Sequence, residues 1–276
     1  MQEKLGLVLS GGGAKGSYEV GVWGALEELG ILPEITDIAG TSVGALNAAL
    51  LETKGFAEAK RLWLSLKSGD LIHLDKERIT RHLTAGTPAD AAAVPYELLL
   101  SGLPVTQERI GELIGEVDFG AMRRRVFAMC SKDTKHATCF CLNLFEASIC
   151  RQILLASSAL PVIYRGVLGV RVDGFGRYFD GGITPGNNTP IAALYERRCR
   201  HIIAVHLQGD PKLPDADTFP DAQIVHIVPH ESLGGFVDGT LHLTKKKTSR
   251  NILRGYHDAL ALHQALSALI RKEADT

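Results

Sequence analysis

An α/β fold with a mainly parallel central sheet is what the sequence predicts, on three observations. An apolar run, a glycine turn and an amphipathic stretch open the chain; a second strand, turn and helix follow before residue 53; and short β-branched runs alternate with helical periodicity up to residue 272. Residues 5–9 are apolar and end at Ser10 and three glycines, as a buried parallel strand entering a tight turn does. Over residues 18–29, Tyr18, Val22, Leu26 and Leu29 recur at helical spacing with Glu19, Glu27 and Glu28 around them, and Gly30 with Pro33 ends the helix. Residues 37–40 read as a second strand and 43–53 as a helix whose Gly44, Ala45, Ala48 and Ala49 allow close packing. A further helix over 57–66 would bury Leu62, Trp63 and Leu66. The segment 84–106, with Gly86, Pro88, Pro95, Gly102 and Pro104, reads as an irregular insertion, either a cover over a site or plain packing.

Residues 125–129 and 138–144 read as strands around the polar turn at 132–135, and 149–158 as a helix stopped before Pro161. Residues 177–179 lead into Asp180 and two glycines; 201–207 and 223–228 have strand composition; 249–272 is a helix through Ile252, Tyr256, Ala259, Leu260, His263, Leu266 and Ile270. No fixed-period repeat and no linker composition interrupts the chain, so residues 1–276 are expected to form one domain.

Composition excludes several classes of function. With 45% hydrophobic and 22% charged residues the chain can build a full core, and 30 basic against 31 acidic residues leave no electrostatic footprint for general nucleic-acid binding. Five cysteines cannot all pair internally, which fits a reducing compartment. The N-terminal apolar stretch is too short for a signal peptide and no run of 18 apolar residues occurs, so a cytoplasmic protein, at most peripheral at membranes, is expected.

Three motifs carry chemistry. Gly40-Thr41-Ser42-Val43-Gly44 matches GxSxG, in which flanking glycines permit a sharp strand-to-helix turn that pushes the serine hydroxyl outward, near the positive end of the next helix. The bland alternative is a glycine-lined turn with an idle serine. Gly11-Gly12-Gly13-Ala14-Lys15-Gly16 follows one strand and opens a helix, so its N–H groups can converge on an anion. Taken alone it suits either an oxyanion hole or a dinucleotide site, because Gly11, Gly13 and Gly16 also spell GxGxxG; Asp37, however, precedes the second strand instead of ending it. The order Lys15-Gly16-Ser17 is wrong for a Walker loop. The serine elbow decides for acyl chemistry. Asp180-Gly181-Gly182 places an acid at a strand end before a flexible turn, where it either enters a site or merely caps the turn.

Glycine loop, elbow and DGG, in this order, resemble the patatin-like phospholipase family. Lys15 falls on that family's basic position in GGGx[RK]G, and Ala156-Ser157-Ser158-Ala159-Leu160-Pro161, Asn188-Thr189-Pro190 and Gly255-Tyr256-His257-Asp258-Ala259 are similar to other family segments; residues 67–125 match poorly. The resemblance implies a three-layer α/β/α fold and a dyad without histidine or cofactor. In it Ser42 is nucleophile, Asp180 general base, the 11–16 loop the oxyanion hole (chiefly Gly12, Gly13 and Ala14), and a phospholipid, lysophospholipid or other acyl ester the substrate. An aspartate is a feeble base at its reference pKa near ~3.9, so burial must raise it. The alternatives are a Ser-Asp-His esterase of the α/β-hydrolase type using His206, His226 or His230, and a lipid-binding module without turnover. Lys245-Lys246-Lys247 with Arg250 could touch anionic lipid but reads more simply as a solvated loop before the last helix. Cys139 with Cys141, His73 with Asp75, and His226 with His230 lack the partners of a metal site, so no metal is expected; Asp133 and Lys135 belong to a hairpin turn.

Overall fold

The computed structural model describes residues 4–66, 107–159, 169–240 and 242–270. Among these, the strands are β1 (Lys4–Leu9), β2 (Ile35–Thr41), β3 (Arg125–Ser131), β4 (Ala137–Cys141), β5 (Val170–Val172), β6 (Gly176–Asp180), β7 (Cys199–Val205) and β8 (Gln223–Ile227). The helices are α1 (Ser17–Glu28), α2 (Val43–Ser65), α3 (Gln107–Gly115), α4 (Ala147–Ser157), α5 (Ile191–Tyr195), α6 (Lys245–Ala261) and α7 (His263–Ala268). The sheet follows the path β5-β6-β3-β2-β1-β7-β8, with β4 also paired to β3. Pairing is parallel from β3 through β8 and antiparallel where β4 and β6 join β3 and where β5 joins β6.

Period-two alternation sorts the strands' side chains into two cores. Leu7, Leu9, Ile38, Val126, Ala128, Cys130, Ile203 and Val205 face the layer built by α1, α2, α4 and α6. Val8, Ala39, Phe127, Met129, Ile202 and Ala204 face the other way, against Ile191, Ala193 and Leu194 of α5. The result is a three-layer α/β/α arrangement whose second helical layer is thin. In the thicker layer α1 and α6 approach to backbone contact, because a Cβ on Gly21 would lie closer than 3.0 Å to the Ile252 carbonyl oxygen and one on Gly255 closer than 3.0 Å to that of Tyr18. Tyr18 Oη also donates to Asp258 Oδ2 at 2.8 Å, tying the two helices through a buried polar pair.

Several expectations shift in detail. The two helices expected over 43–53 and 57–66 meet at Gly55 (φ 72°, ψ 179°), a left-handed break that glycine tolerates. Residues 142–144 form a 3₁₀ turn rather than extending β4. The last helix begins at Lys245, four residues before the expected start, since Thr244 caps it by accepting the Lys247 N–H at 3.2 Å; it then breaks at Leu262. Lys245, Lys246, Lys247 and Arg250 therefore lie on a helix, which corrects the loop reading. Glu19, one of the acids around the apolar positions of α1, is fully buried, where Asn47 Nδ2 donates to it at 2.7 Å. Among the described residues no helix is long and apolar enough to cross a membrane. The 84–106 insertion, His73 with Asp75, and Pro161 lie outside the described residues.

Candidate active site

β2 ends at Thr41, and Ser42 stands between strand and helix at φ 55°, ψ −125°, a strained conformation for a residue with a side chain. The turn is possible because Gly40 and Gly44 lack a Cβ: one at Gly40 would collide with the backbone of Gly44 and Ala45, one at Gly44 with the Leu9 carbonyl. Hydrogen bonds hold the strain in place. Thr41 Oγ1 donates to Asn187 O at 2.5 Å, the Ser42 N–H donates to Ser157 Oγ at 2.9 Å, and Ser42 O accepts from Ala45 N at 3.0 Å. Gly40, Thr41, Ser42, Val43 and Gly44 thus form a strand-turn-helix junction with Ser42 between strand and helix.

Asp180 reaches the same place through β3. β4 occupies one edge of β3 opposite both Met129 and Cys130, so β2 and β6 share the other edge. Thr41 pairs with Met129 and Asp180 pairs with the very next residue, Cys130, which sets Ser42 and Asp180 side by side where β2 leaves the sheet. Asp180 is 3% exposed; its Oδ1 accepts the Gly182 N–H at 2.8 Å, and its buried Oδ2 closes no hydrogen bond of good geometry. Burial raises its pKa to about 6, against the opposing pull of the neighbouring Ser42 hydroxyl and of the Gly182 N–H.

The glycine loop lies beside them. The Gly11 N–H donates to Asn188 O at 2.9 Å and the Lys15 N–H to Gly12 O at 3.3 Å, so both are already engaged. That removes Gly11 and Lys15 from the loop's candidate oxyanion donors. Gly13 has φ 57° and faces Thr240, whose carbonyl oxygen would lie 2.6 Å from any Cβ placed there. Asn47 Nδ2 fastens the loop's end by donating to Gly16 O at 2.9 Å, while Asn47 Oδ1 accepts from Trp63 Nε1 at 2.9 Å. Lys15 is buried and its pKa is lowered, because desolvation outweighs the favourable charge of Asp238.

Gly11, Gly12, Gly13, Lys15, Ser42, Asp180 and Gly182 all line one cavity of about 870 Å³. Its apolar wall comes from Val43, Leu46, Ile191, Leu207, Leu213 and Phe219, a size and lining suited to a lipid-sized ligand. Ala14 and Gly16 are buried, and Gly181 is tucked against the Met129 carbonyl. Of the three histidines named for a triad, His206 reaches the cavity wall, but its Nε2 is 2.9 Å from His226 Nδ1 and burial lowers its pKa to about 4. His230 instead pairs with Asp258. Asp37 lies inside β2, bound to Arg125 at 2.7 Å and in register with Gly6, roughly 16 Å short of Gly11 at ~3.3 Å per residue. It cannot serve a nucleotide ribose there.

Sequence reasoning assigned no role to several polar residues that hold this geometry. Asn188 Nδ2 donates to Gly11 O at 3.3 Å, and Asn188 Oδ1 lies where a Cβ on Gly11 or Gly182 would fall, so its side chain is wedged between the glycine and DGG loops. Ser131 Oγ donates to Gly181 O at 3.0 Å and accepts from the Thr184 N–H at 3.1 Å. Ser157 Oγ, besides accepting from Ser42, donates to Met129 O at 2.7 Å. Their signal in the sequence is a small polar residue inside an apolar run, which also marks ordinary buried turns. Cys139 and Cys141 stay unpaired on β4, and among the described residues no group of three ligands that could hold a metal ion occurs.

A family model described as patatin-like phospholipase matches residues 7–195. The curated relative lysophospholipase nte1 of Aspergillus terreus is 61% identical over 46 residues, 17% of this chain and 3% of that protein. VipD from Legionella pneumophila aligns at 17% identity and TM-score 0.57, over 97% of this chain and 67% of its own. ExoU of Pseudomonas aeruginosa, solved with SpcU, aligns at 16% and 0.51 over 98% and 53%. Human GIVD cytosolic phospholipase A2, in complex with methyl γ-linolenyl fluorophosphonate, aligns at 13% and 0.53 over 97% and 59%. The chain spans about half to two thirds of these solved chains and a small part of the curated relative.

Proposed function

The chain belongs to the patatin-like phospholipase family, and from that premise we propose that it is a lipid acyl hydrolase working through a Ser42–Asp180 dyad. The observation that supports this best is the joint placement of a strained serine elbow and a buried carboxylate, with pKa raised to about 6, on one cavity wall beside the glycine loop. The Ser42 hydroxyl attacks the ester carbonyl and its proton passes to Asp180. The tetrahedral oxyanion forms against the N–H groups of Gly12, Gly13 and Ala14, each such donor contributing roughly 3 kcal/mol by comparison with deletions elsewhere. Collapse breaks the ester C–O bond, and protonated Asp180 returns the proton to the leaving alcohol. Water then attacks the acyl-enzyme, Asp180 takes its proton, and the second collapse restores the Ser42 hydroxyl and releases fatty acid.

A substrate with an apolar chain fits the wall of Leu46, Ile191, Leu207 and Phe219, and phospholipids or lysophospholipids are the class the family description and the fungal relative's name suggest. An amphiphilic substrate of this kind calls for transient contact of the protein with lipid surfaces. The test is hydrolysis of a p-nitrophenyl ester and of mixed phospholipid vesicles as a function of pH. Because the ionised carboxylate is the base, kcat/KM is expected to be flat above about pH 6 and to fall tenfold per unit below it as Asp180 protonates. Ser42→Ala should be inactive at every pH. An acid limb near pH 4, or hydrolysis that survives Ser42→Ala, overturns this reading.

A further inference from the structure

The turn that closes α4 touches both candidate catalytic residues from behind. Ser157 Oγ accepts the Ser42 N–H at 2.9 Å, and two residues on, Ala159 O accepts the Asp180 N–H at 2.8 Å. These are the backbone amides of the nucleophile and of the base, held by one short segment. Ser157 does more than accept. Its hydroxyl proton goes to Met129 O at 2.7 Å, and Met129 is the β3 residue opposite Thr41, the last register of the β2–β3 ladder. The hydroxyl therefore stands where the next rung would form if β2 ran on, bridging Ser42 to β3 after the chain has turned away. Ser157 is fully buried and is not on the cavity wall, whereas its neighbour Ser158 is.

We propose, resting on the hydrolase reading above, that Ser157–Ala159 is a clamp that sets the relative position of nucleophile and base, with Ser157 the positioning residue for Ser42. Without the Ser157 hydroxyl, the Ser42 N–H loses its acceptor and the left-handed elbow loses one of its restraints. Met129 O loses its donor at the same time. Asp180 keeps its bond to Ala159, and the cavity wall is unchanged. The substrate then binds as before while the attacking oxygen is less well placed. A shift of about 1 Å in a reacting group costs on the order of 100-fold in rate.

The experiment compares wild type, Ser157→Ala and Ser157→Thr in ester hydrolysis, with active-site titration to normalise for folded protein and a thermal melt of each. In Ser157→Ala, kcat is expected to fall about 10- to 100-fold, with KM within twofold and the acid limb of the pH profile in place. Ser157→Thr, which keeps the hydroxyl, should recover most of kcat per titrated site even if its added methyl lowers the melting temperature. A merely structural Ser157 would lower the melting temperature while kcat per titrated site stays at the wild-type value, and that result overturns the clamp. A parallel rise in KM, or a displaced acid limb, also overturns it. If wild type itself shows no Ser42-dependent hydrolysis, the underlying reading falls and the clamp with it, a result distinct from active wild type with fully active Ser157→Ala.

Discussion

Asp180→Asn is expected to lose hydrolysis by about 10²- to 10⁴-fold, the usual contribution of a general base, and to melt at a higher temperature than wild type at pH 8. Both effects come from the same burial. Folding moves the Asp180 carboxyl from its ordinary 3.8 to about 6, so between those values the folded state binds more protons than the unfolded one. Stability therefore falls as pH rises through that window. Above it, the charged carboxylate costs on the order of 3 kcal/mol, from about 1.4 kcal/mol per unit. Asparagine keeps an oxygen for the Gly182 N–H and carries no charge into the interior, removing that cost. Each recovered kcal/mol raises the melting temperature by about 2–4 °C in a domain of this size class. Calorimetry at pH 4 and pH 8 reads the difference: the variant's advantage should appear at pH 8 and vanish at pH 4. An unchanged or lower melting temperature at pH 8 contradicts the electrostatics. Hydrolysis that survives in Asp180→Asn but is lost in His206→Ala redirects the chemistry to a histidine base.

Gly255→Ala should destabilise the fold by about 3 kcal/mol or more, at the upper end of overpacking effects, because the new methyl meets backbone rather than a movable side chain. The Tyr18 carbonyl oxygen lies in the way, and α1 can retreat only by opening its contact with α6 and disturbing the Tyr18–Asp258 bond. Gly30→Ala is the informative contrast. Gly30 has φ 68° with nothing within 4 Å, so its substitution costs only left-handed strain, roughly 1–2 kcal/mol. Urea unfolding of the two variants separates space from conformation. Equal losses, or a Gly255→Ala loss below about 1 kcal/mol, contradict the packing described for α1 and α6.

Much of the site was legible because the chemistry sits in local backbone. Gly40 and Gly44 announce a turn that only glycine can make around Ser42, and the glycines at 11–13 announce close approach of a chain to an anion or to another loop. Both are properties of a few adjacent residues, which sequence displays directly. Asp180 was visible as an acid ahead of two glycines, but its placement depends on β3 offering one edge to β2 and then to β6, two long-range pairings that no local pattern encodes. For the same reason the burial of Glu19 and Lys15 was not readable: each is covered by distant segments, Asn47 beside one and the 238–240 turn beside the other. Ser157 and Asn188 were named only as parts of family-like segments, since a hydroxyl that bridges two backbones has the same sequence signature as one that closes a helix turn. The first turn of the last helix, from Lys245, was missed because its lysine run obscures the apolar period, while the Thr244 cap is a single residue.

The claim that Ser42 is the nucleophile is tested most directly by treating the folded wild-type protein with a lipid fluorophosphonate and mapping the adduct by peptide mass spectrometry. A single adduct on Ser42, formed in wild type and slowed in Asp180→Asn, is the predicted result. No adduct, or one on another serine such as Ser158 on the same cavity wall, contradicts it.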